Sequence, residues 1–473
     1  MANPGSEIVH APPLTPRRGQ AAPVLGTLSA FMLIIGLVVG AGIFKAPSLV
    51  AGMTGSPEWM FAAWLLGGAV SIVGALCYAE LATAWPHAGG DYHFLGRAFG
   101  RTVSFLFAWA RFSVITTGSI ALLGFVFGDY MQHVVPLGPW GPSLWAALAV
   151  LGLWLVNSRG ILAGAAAQGW LTALELGGVM VLIAAALWLA STGTPAPPAA
   201  AVAAPPTVSA FGLAMVFVLL TYGGWNDAAY LSSEMRHKRQ IVGVLVLSIT
   251  AITALYLLAN WAYLRGLGFA AMANSDAVAA DLMRAAFGPL GDTLISILVA
   301  LAAISSMNAT MIVGARTQFA LGADWPALGK LGSWDARRGT PVHAMRLQNI
   351  AALLLVVLGA ATGSGFRAMV EFTAPVFWLF FLLVGLALFV LRVREPARER
   401  PFKVPLYPLL PALFCATCGL MLWSTLSYVY RQSLGGVNAA WIGVAVLASG
   451  LAVLALVRSR STARSPVASA SPR

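Results

Sequence analysis

The amino-acid sequence predicts an all-α membrane protein of twelve transmembrane helices, and three observations carry that prediction. The first is composition: 59% of the 473 residues are hydrophobic and 9% are charged, whereas an ordinary soluble domain carries about a quarter charged residues. With a mean hydropathy of +0.82, too little polar sequence remains to face water, and the bilayer must be the solvent. The second is a series of apolar runs of spanning length, at 26–53, 58–84, 102–131, 141–157, 165–191, 208–232, 241–265, 289–320, 343–362, 367–391, 406–430 and 437–457. A span needs about 20 residues, so the fourth is short and the eighth is long enough to tilt or project. The third is charge placement: with the N-terminus inside, 22 of the 28 Lys and Arg fall on the cytoplasmic side. That asymmetry sets the orientation, with both termini cytoplasmic, and demands an even number of spans.

The chain then divides in order. Residues 1–25 form a Pro- and Ala-rich cytoplasmic tail in which Arg17 and Arg18 anchor the first helix. The first apolar run is too long for a cleaved signal peptide. The transmembrane domain occupies 26–458, with one half at 26–191, a second at 208–391 and two extra helices at 406–457. The loop at 192–207 is uncharged and rich in Pro and Ala, and the Ser/Ala/Arg-rich tail at 459–473 is expected to be disordered. A net charge of +12 would suit nucleic acid, but the basic residues lie between apolar runs rather than along one polar face, and no nucleic-acid partner is expected. Cys415 and Cys418 have redox spacing without a second pair or a His cluster, and with Cys77 they read as helix packing.

Two spans are interrupted. Span one contains Gly36, Gly40, Gly42 and Pro47, poor company for a continuous helix. Taken alone, Gly36 to Gly40 equally suits close helix packing. Span six repeats the anomaly at Gly223, Gly224, Trp225, Asn226 and Asp227. Such backbone is tolerated at membrane depth only where it lines a cavity. Interruptions at corresponding places in two halves point to a carrier's substrate site, with spans 1–5 and 6–10 as inverted repeats. Unwinding frees N–H groups at one half-helix and C=O groups at another. Free N–H groups at Gly40, Ala41 and Gly42 favour a carboxylate, and free carbonyls favour an ammonium. Two facing breaks therefore suit the zwitterion of an amino acid, its side chain met by residues around Leu220 and Trp225.

Gly40-Ala-Gly-Ile-Phe44 resembles the first-helix signature of the amino-acid–polyamine–organocation superfamily. Tyr222-Gly-Gly-Trp-Asn226 with Glu234 resembles the sixth helix of its L-type amino-acid transporter branch. Tyr78-Ala-Glu80-Leu with Pro86 to Tyr92, Asn308 to Arg316, and Arg400 to Pro408 follow in the family's order. The resemblance implies the bacterial leucine-transporter fold, a five-plus-five inverted repeat with two extra helices. It implies substrate contacts at the Val38 carbonyl, the Ala41 and Gly42 amides beside Gly40 and Ile43, and the Leu220 and Gly223 carbonyls, with Gly224, Trp225 and Asn226 nearby. Eukaryotic members pair through a cysteine after span three. None lies between 129 and 142 here, so no disulfide-linked accessory subunit is expected. Many members carry a lysine where Glu175 stands, and the reversed charge puts a lysine-based coupling scheme in doubt.

Charged groups at membrane depth are functional candidates because they are costly there. Glu175 is the foremost, as a carboxylate that exchanges a proton during the cycle, with a static ion pair as the alternative. Asp227 caps a half-helix, meets a cationic side chain or relays protons. Lys45 pairs with Glu371 or lies at the outer mouth, and Arg111 pairs with Glu175 or Asp227. Glu80 and Glu234 are candidates for a cytoplasmic gate.

No HExxH, no histidine pair facing a carboxylate within a span and no Walker spacing is present, which argues against a metallohydrolase or an ATP-driven pump. No metal or cofactor is expected, and no channel filter is apparent. The reading is a proton-coupled carrier of neutral L-amino acids in a bacterial plasma membrane. Amino-acid exchange or carriage of a polyamine or other organic cation is the alternative.

Overall fold

A computed structural model describes residues 27–87, 90–159, 164–192, 205–226, 240–335, 340–361, 363, 365–431, 433–434 and 437–463. The first predicted span is two helices, α1 (Thr27–Val38) and α2 (Ala46–Thr54), separated by a 3₁₀ turn, Ala41–Phe44. Gly55, at φ 71°, ends α2, and α3 (Pro57–Ala84) starts with proline in its first turn and the Ser56 hydroxyl accepting from Trp59 N. The short α4 (Asp91–Phe99) leads into the third span, built from α5 (Arg101–Ala110), a π-helical segment Arg111–Thr116 and α6 (Thr117–Val134). Next come α7 (Gly141–Arg159), α8 (Gly164–Ser191) and α9 (Val208–Thr221).

The second half continues with α10 (Gln240–Leu267), the short α11 (Phe269–Ala273) and the long α12 (Val278–Asp324). The sequence placed the eighth span at 289–320, whereas this helix begins earlier. Its first turns are a separate piece joined at Gly288 (φ 68°, ψ −159°) and Pro289, and a proline cannot continue the hydrogen-bond ladder. Then follow α13 (Val342–Ala361), α14 (Gly365–Arg394), α15 (Leu409–Arg431) and α16 (Ala439–Ala463). Among the described residues the only strands are a two-residue antiparallel ribbon, Ser433–Leu434 with Val437–Asn438.

The protein is an all-helical, multi-pass membrane protein. Among the described residues nine helices are long and apolar enough to cross a bilayer, and α9 and residues 445–458 are apolar but shorter. The interrupted spans fall below spanning length because they are interrupted. Helices α6 and α12 lie at the centre and pack on each other, α6 also against α7 and α14 and α12 against α8 and α13. The 3₁₀ turn rests on α12, α2 packs on α9, and α10 packs on α1, α3 and α8. This packing brings the two interruptions together.

Candidate functional site

At the first interruption Gly40 is extended (φ −145°, ψ −168°) and the chain re-enters a helix after Lys45. The carbonyls freed there are not bare. Tyr256 Oη on α10 is 3.2 Å from Val38 O, Tyr263 Oη donates to Ile43 O at 3.4 Å, and Tyr130 Oη on α6 donates to Phe44 O at 2.5 Å. All three tyrosines are fully buried. A buried carbonyl without a partner is costly, so these hydroxyls make the interruption tolerable. The sequence reading missed all three, because a buried tyrosine on a helix carries no pattern that separates it from ordinary core.

At the second interruption α9 stops at Thr221, Tyr222 to Gly224 form a turn, and helical geometry resumes at Trp225. Tyr222 N donates to Val218 O, Gly223 N to Leu220 O, and Gly224 N to Asn226 Oδ1 at 3.3 Å. Gly224 has φ 110°, a conformation that side chains resist. The two interruptions touch: a Cβ added to Gly42 would lie 3.2 Å from Thr221 Cγ2 and 3.3 Å from its Oγ1. Tyr256 Oη also reaches Thr221 O, at 3.1 Å. One hydroxyl therefore spans both.

Beside them lies a cavity of about 40 Å³, lined by Ile115, Ser119, Val216, Leu220, Thr373 and Trp378 among others, none of them charged. The sequence pointed to Leu220, which lines it. Trp225 does not; its indole packs edge-on against Tyr78 at 5.3 Å and Phe381 at 5.8 Å. The π segment, a feature frequent at functional sites, runs into this cavity through Ile115. Helix α14 comes so close that a Cβ on Gly118 would lie 2.1 Å from Thr373 Cγ2. A larger cavity, about 350 Å³, lies elsewhere, between α3, α9 and α15. Its apolar lining includes Leu66, Val208 and Leu413, which are exposed on the outer surface of the bundle.

Charged groups distribute differently from the sequence expectations. Lys45 pairs with Asp129 of α6 at 2.7 Å and donates to the Asp276 carbonyl. Glu371 is not its partner, because Arg367, one turn earlier on the same helix, holds that carboxylate at 2.7 Å. Glu175 is 2% exposed, with no hydrogen bond or ion pair among the described residues, and lies within electrostatic reach of Tyr256. Arg111 stands 6.0 Å from the Phe107 ring rather than against Glu175. Asp227 and Glu234 lie outside the described residues.

At the opposite end of α3, fully buried Glu80 receives Arg392 through two hydrogen bonds, 2.8 and 2.5 Å, and Val404 N at 2.7 Å, with Arg400 at 3.6 Å. Glu395 there takes Arg97 at 2.6 and 2.9 Å and the Trp85 indole at 3.0 Å. The Arg97 bonds hold its carboxyl below the usual range. His93 stacks on His87 at 4.1 Å. Burial first, and then the neighbouring His87, lower its pKa to about 4.

The amino acid permease family profile matches residues 25–459. The chain belongs to the amino acid permease family. Its relatives place it in the L-type branch of the amino-acid–polyamine–organocation superfamily, and among membrane transporters rather than enzymes. The b(0,+)-type amino acid transporter 1 of Homo sapiens is 30% identical over 387 residues, 80% of this chain and 78% of that protein. The serine/threonine exchanger SteT of Bacillus subtilis is 28% identical over 409 residues, 85% of this chain and 91% of that one. The Asc-type amino acid transporter 1 of Homo sapiens is 28% identical over 445 residues, 91% and 82% respectively. Within this permease the two interruptions meet where Gly42 approaches Thr221.

Proposed function

We propose that this permease is a secondary active carrier of small neutral amino acids, working by alternating access across a plasma membrane. The observation that carries the reading is the apposition of the two interruptions, Gly42 against Thr221 with the Tyr256 hydroxyl between them. Substrate carboxylate would meet the amides at Gly40, Ala41 and Gly42 beside Ile43, where the first N–H groups of the turn have no intrahelical partner. The ammonium would meet carbonyls at Val38, Leu220 and Gly223, with Gly224, Trp225 and Asn226 shaping the second interruption. A cavity lining without charged side chains favours a neutral substrate over a polyamine. In this reading the chain has twelve spans in a five-plus-five inverted repeat, halves 26–191 and 208–391, extra helices 406–457, and cytoplasmic tails at 1–25 and 459–473. It works without a disulfide-linked subunit.

Glu175 is the proposed proton carrier, because a buried carboxylate with no ion pair among the described residues is costly as an anion. Asp227 remains a second coupling candidate. Exchange is the other reading, favoured by the serine/threonine exchanger among the relatives. Proteoliposome uptake of labelled L-serine and L-alanine separates them. Proton coupling predicts uptake into unloaded vesicles driven by an inward proton gradient and abolished in Glu175→Gln. Uptake that requires internal amino acid and ignores the gradient in both proteins would replace coupling by exchange. No flux of either amino acid would remove the carrier reading.

A further inference from the structure

The cavity of about 350 Å³ between α3, α9 and α15 takes no part in the proposed substrate site, and protein does not close it. Its floor is made by Met215, Phe414 and Met421, all buried, and its rim by Leu66, Val208 and Leu413, each at least 45% exposed. No charged side chain lines it, and the Thr417 hydroxyl is taken by Leu413 O at 2.9 Å. Helices α3 and α15 are of spanning length, so the medium that meets this rim is hydrocarbon. A concave apolar surface that side chains leave unfilled loses dispersion contacts until something fills it, and a water there would find no polar partners. The groove also has the depth of a leaflet. Its lining on α3 runs from Trp59 to Val73, about 21 Å of helix at 1.5 Å per residue, against about 15 Å for half of the hydrocarbon core. Trp59 packs edge-on against Phe211 at 5.7 Å and marks the end near the membrane surface, where amphipathic aromatic rings sit. The deep end reaches the second interruption. Phe414 lies edge-on to the Trp225 ring at 6.2 Å, and a Cβ on Gly74 would lie 2.8 Å from Phe414 Cε2 and 2.5 Å from Trp225 Cη2.

We propose that this groove binds one acyl chain of a membrane phospholipid, and that the bound chain holds Phe414 against Trp225 and so steadies the second interruption. A chain entering beside Trp59 runs down the α3 lining and ends on the Phe414 ring. The occupant is a lipid chain rather than a protein segment for two reasons. The surrounding bilayer supplies it at every encounter, and it brings no backbone polar groups into a groove whose one hydroxyl is already bonded. Its effect on transport, though not its occupancy, rests on the proposed substrate site.

The test reconstitutes full-length protein with a trace of phospholipid carrying a photoactivatable diazirine on its acyl chain, and maps the adducts by mass spectrometry. Leu413 and Leu420 should be labelled more than Leu247 and Leu354, which are at least as exposed but lie outside the groove. Ala69→Phe fills the groove from an exposed lining position and should lose the labelling of Leu413 and Leu420. Ala184→Phe, the same change at an exposed position on α8, should keep it. Uptake of labelled L-alanine is then compared between straight-chain lipid and phytanoyl lipid of the same headgroup, whose methyl branches widen the chain. The parent and Ala184→Phe should be slower in the branched lipid by about fivefold, whereas Ala69→Phe should transport equally in both. Phe414→Leu, which withdraws the ring from Trp225, should keep the adducts and lose the lipid dependence. Labelling of Leu413 and Leu420 no stronger than that of Leu247 and Leu354 means bulk lipid only and overturns the chain site. Equal parent uptake in the two lipids, or a lipid dependence that survives in Ala69→Phe, overturns the coupling to Trp225. A parent that carries no L-alanine in either lipid removes the proposed function instead, and the adduct pattern then decides the chain site by itself.

Discussion

His93 shows how a single residue fails to announce itself in sequence. Nothing in Pro86 to Tyr92 predicts that the neighbouring His93 stacks on His87 and loses water. With its folded pKa at about 4 against an ordinary value of 6.5, the unfolded chain binds more protons between those values. Stability contributed by this group is therefore complete above pH 6.5 and is lost as pH falls through about 4. The depressed Glu395 carboxyl acts in the same direction at lower pH. Melting of detergent-purified His93→Gln between pH 7 and 4 should show a shallower acid-side decline than the parent. Parallel curves would refute it. Lys45 makes the same point about charge: its sequence neighbourhood could not reveal Asp129, 84 positions on, and the correct pairing needed the fold.

At the scale of elements, much was legible and for a physical reason. Adjacent glycines beside Asn226 and Asp227 are costly at membrane depth, and the matching glycines of span one, ambiguous alone, gain meaning from that pairing, so both interruptions could be located to within a few residues. What could not be read was anything that arises between elements. The π segment Arg111–Thr116 carries no glycine or proline to mark it in the sequence. Gly118 looked like one small residue among many until α14 was placed against it. Adding its Cβ would bring carbon within 2.1 Å of Thr373 Cγ2, so Gly118→Ala must push α6 and α14 apart at the cavity. Overpacking of this kind costs roughly 1–3 kcal/mol, and the melting temperature and L-alanine uptake should both fall. Thr373→Ser removes the clashing methyl. Gly118→Ala/Thr373→Ser is therefore expected to be more stable than Gly118→Ala, a coupling that a double-mutant cycle measures. Additive effects would show that the close approach is not maintained in the membrane.

The whole molecule is tied at both ends of the site. Lys45 at the head of α2 is joined to Asp129 on α6, and Glu80 on α3 is joined to Arg392 and the segment that follows α14. Between these ties Val38, Ala41 and Tyr222 of the two interruptions are buried, so loading requires one of the ties to open. The Lys45 tie is the simpler: one side-chain pair and one carbonyl, against four contacts at Glu80. Removing one charge of a buried pair leaves the other unpaired, a loss of roughly 3–5 kcal/mol that hydration on opening relieves. Asp129→Asn should therefore populate the state open at the Lys45 side, since every 1.4 kcal/mol is about tenfold in population. Ser306 is a suitable reporter because its hydroxyl is 3.8 Å from where a Gly40 Cβ would sit. With Cys77, Cys415 and Cys418 replaced by serine, Ser306→Cys can be labelled with a membrane-impermeant maleimide from either face of reconstituted vesicles. Asp129→Asn should speed labelling from the Lys45 face by about tenfold or more and slow it from the Glu80 face, because a state gained on one side is taken from the other. Equal rates from both faces would mean that the Lys45–Asp129 pair holds the fold rather than the gate. Faster labelling from both would mean that the two ties open independently, which alternating access forbids.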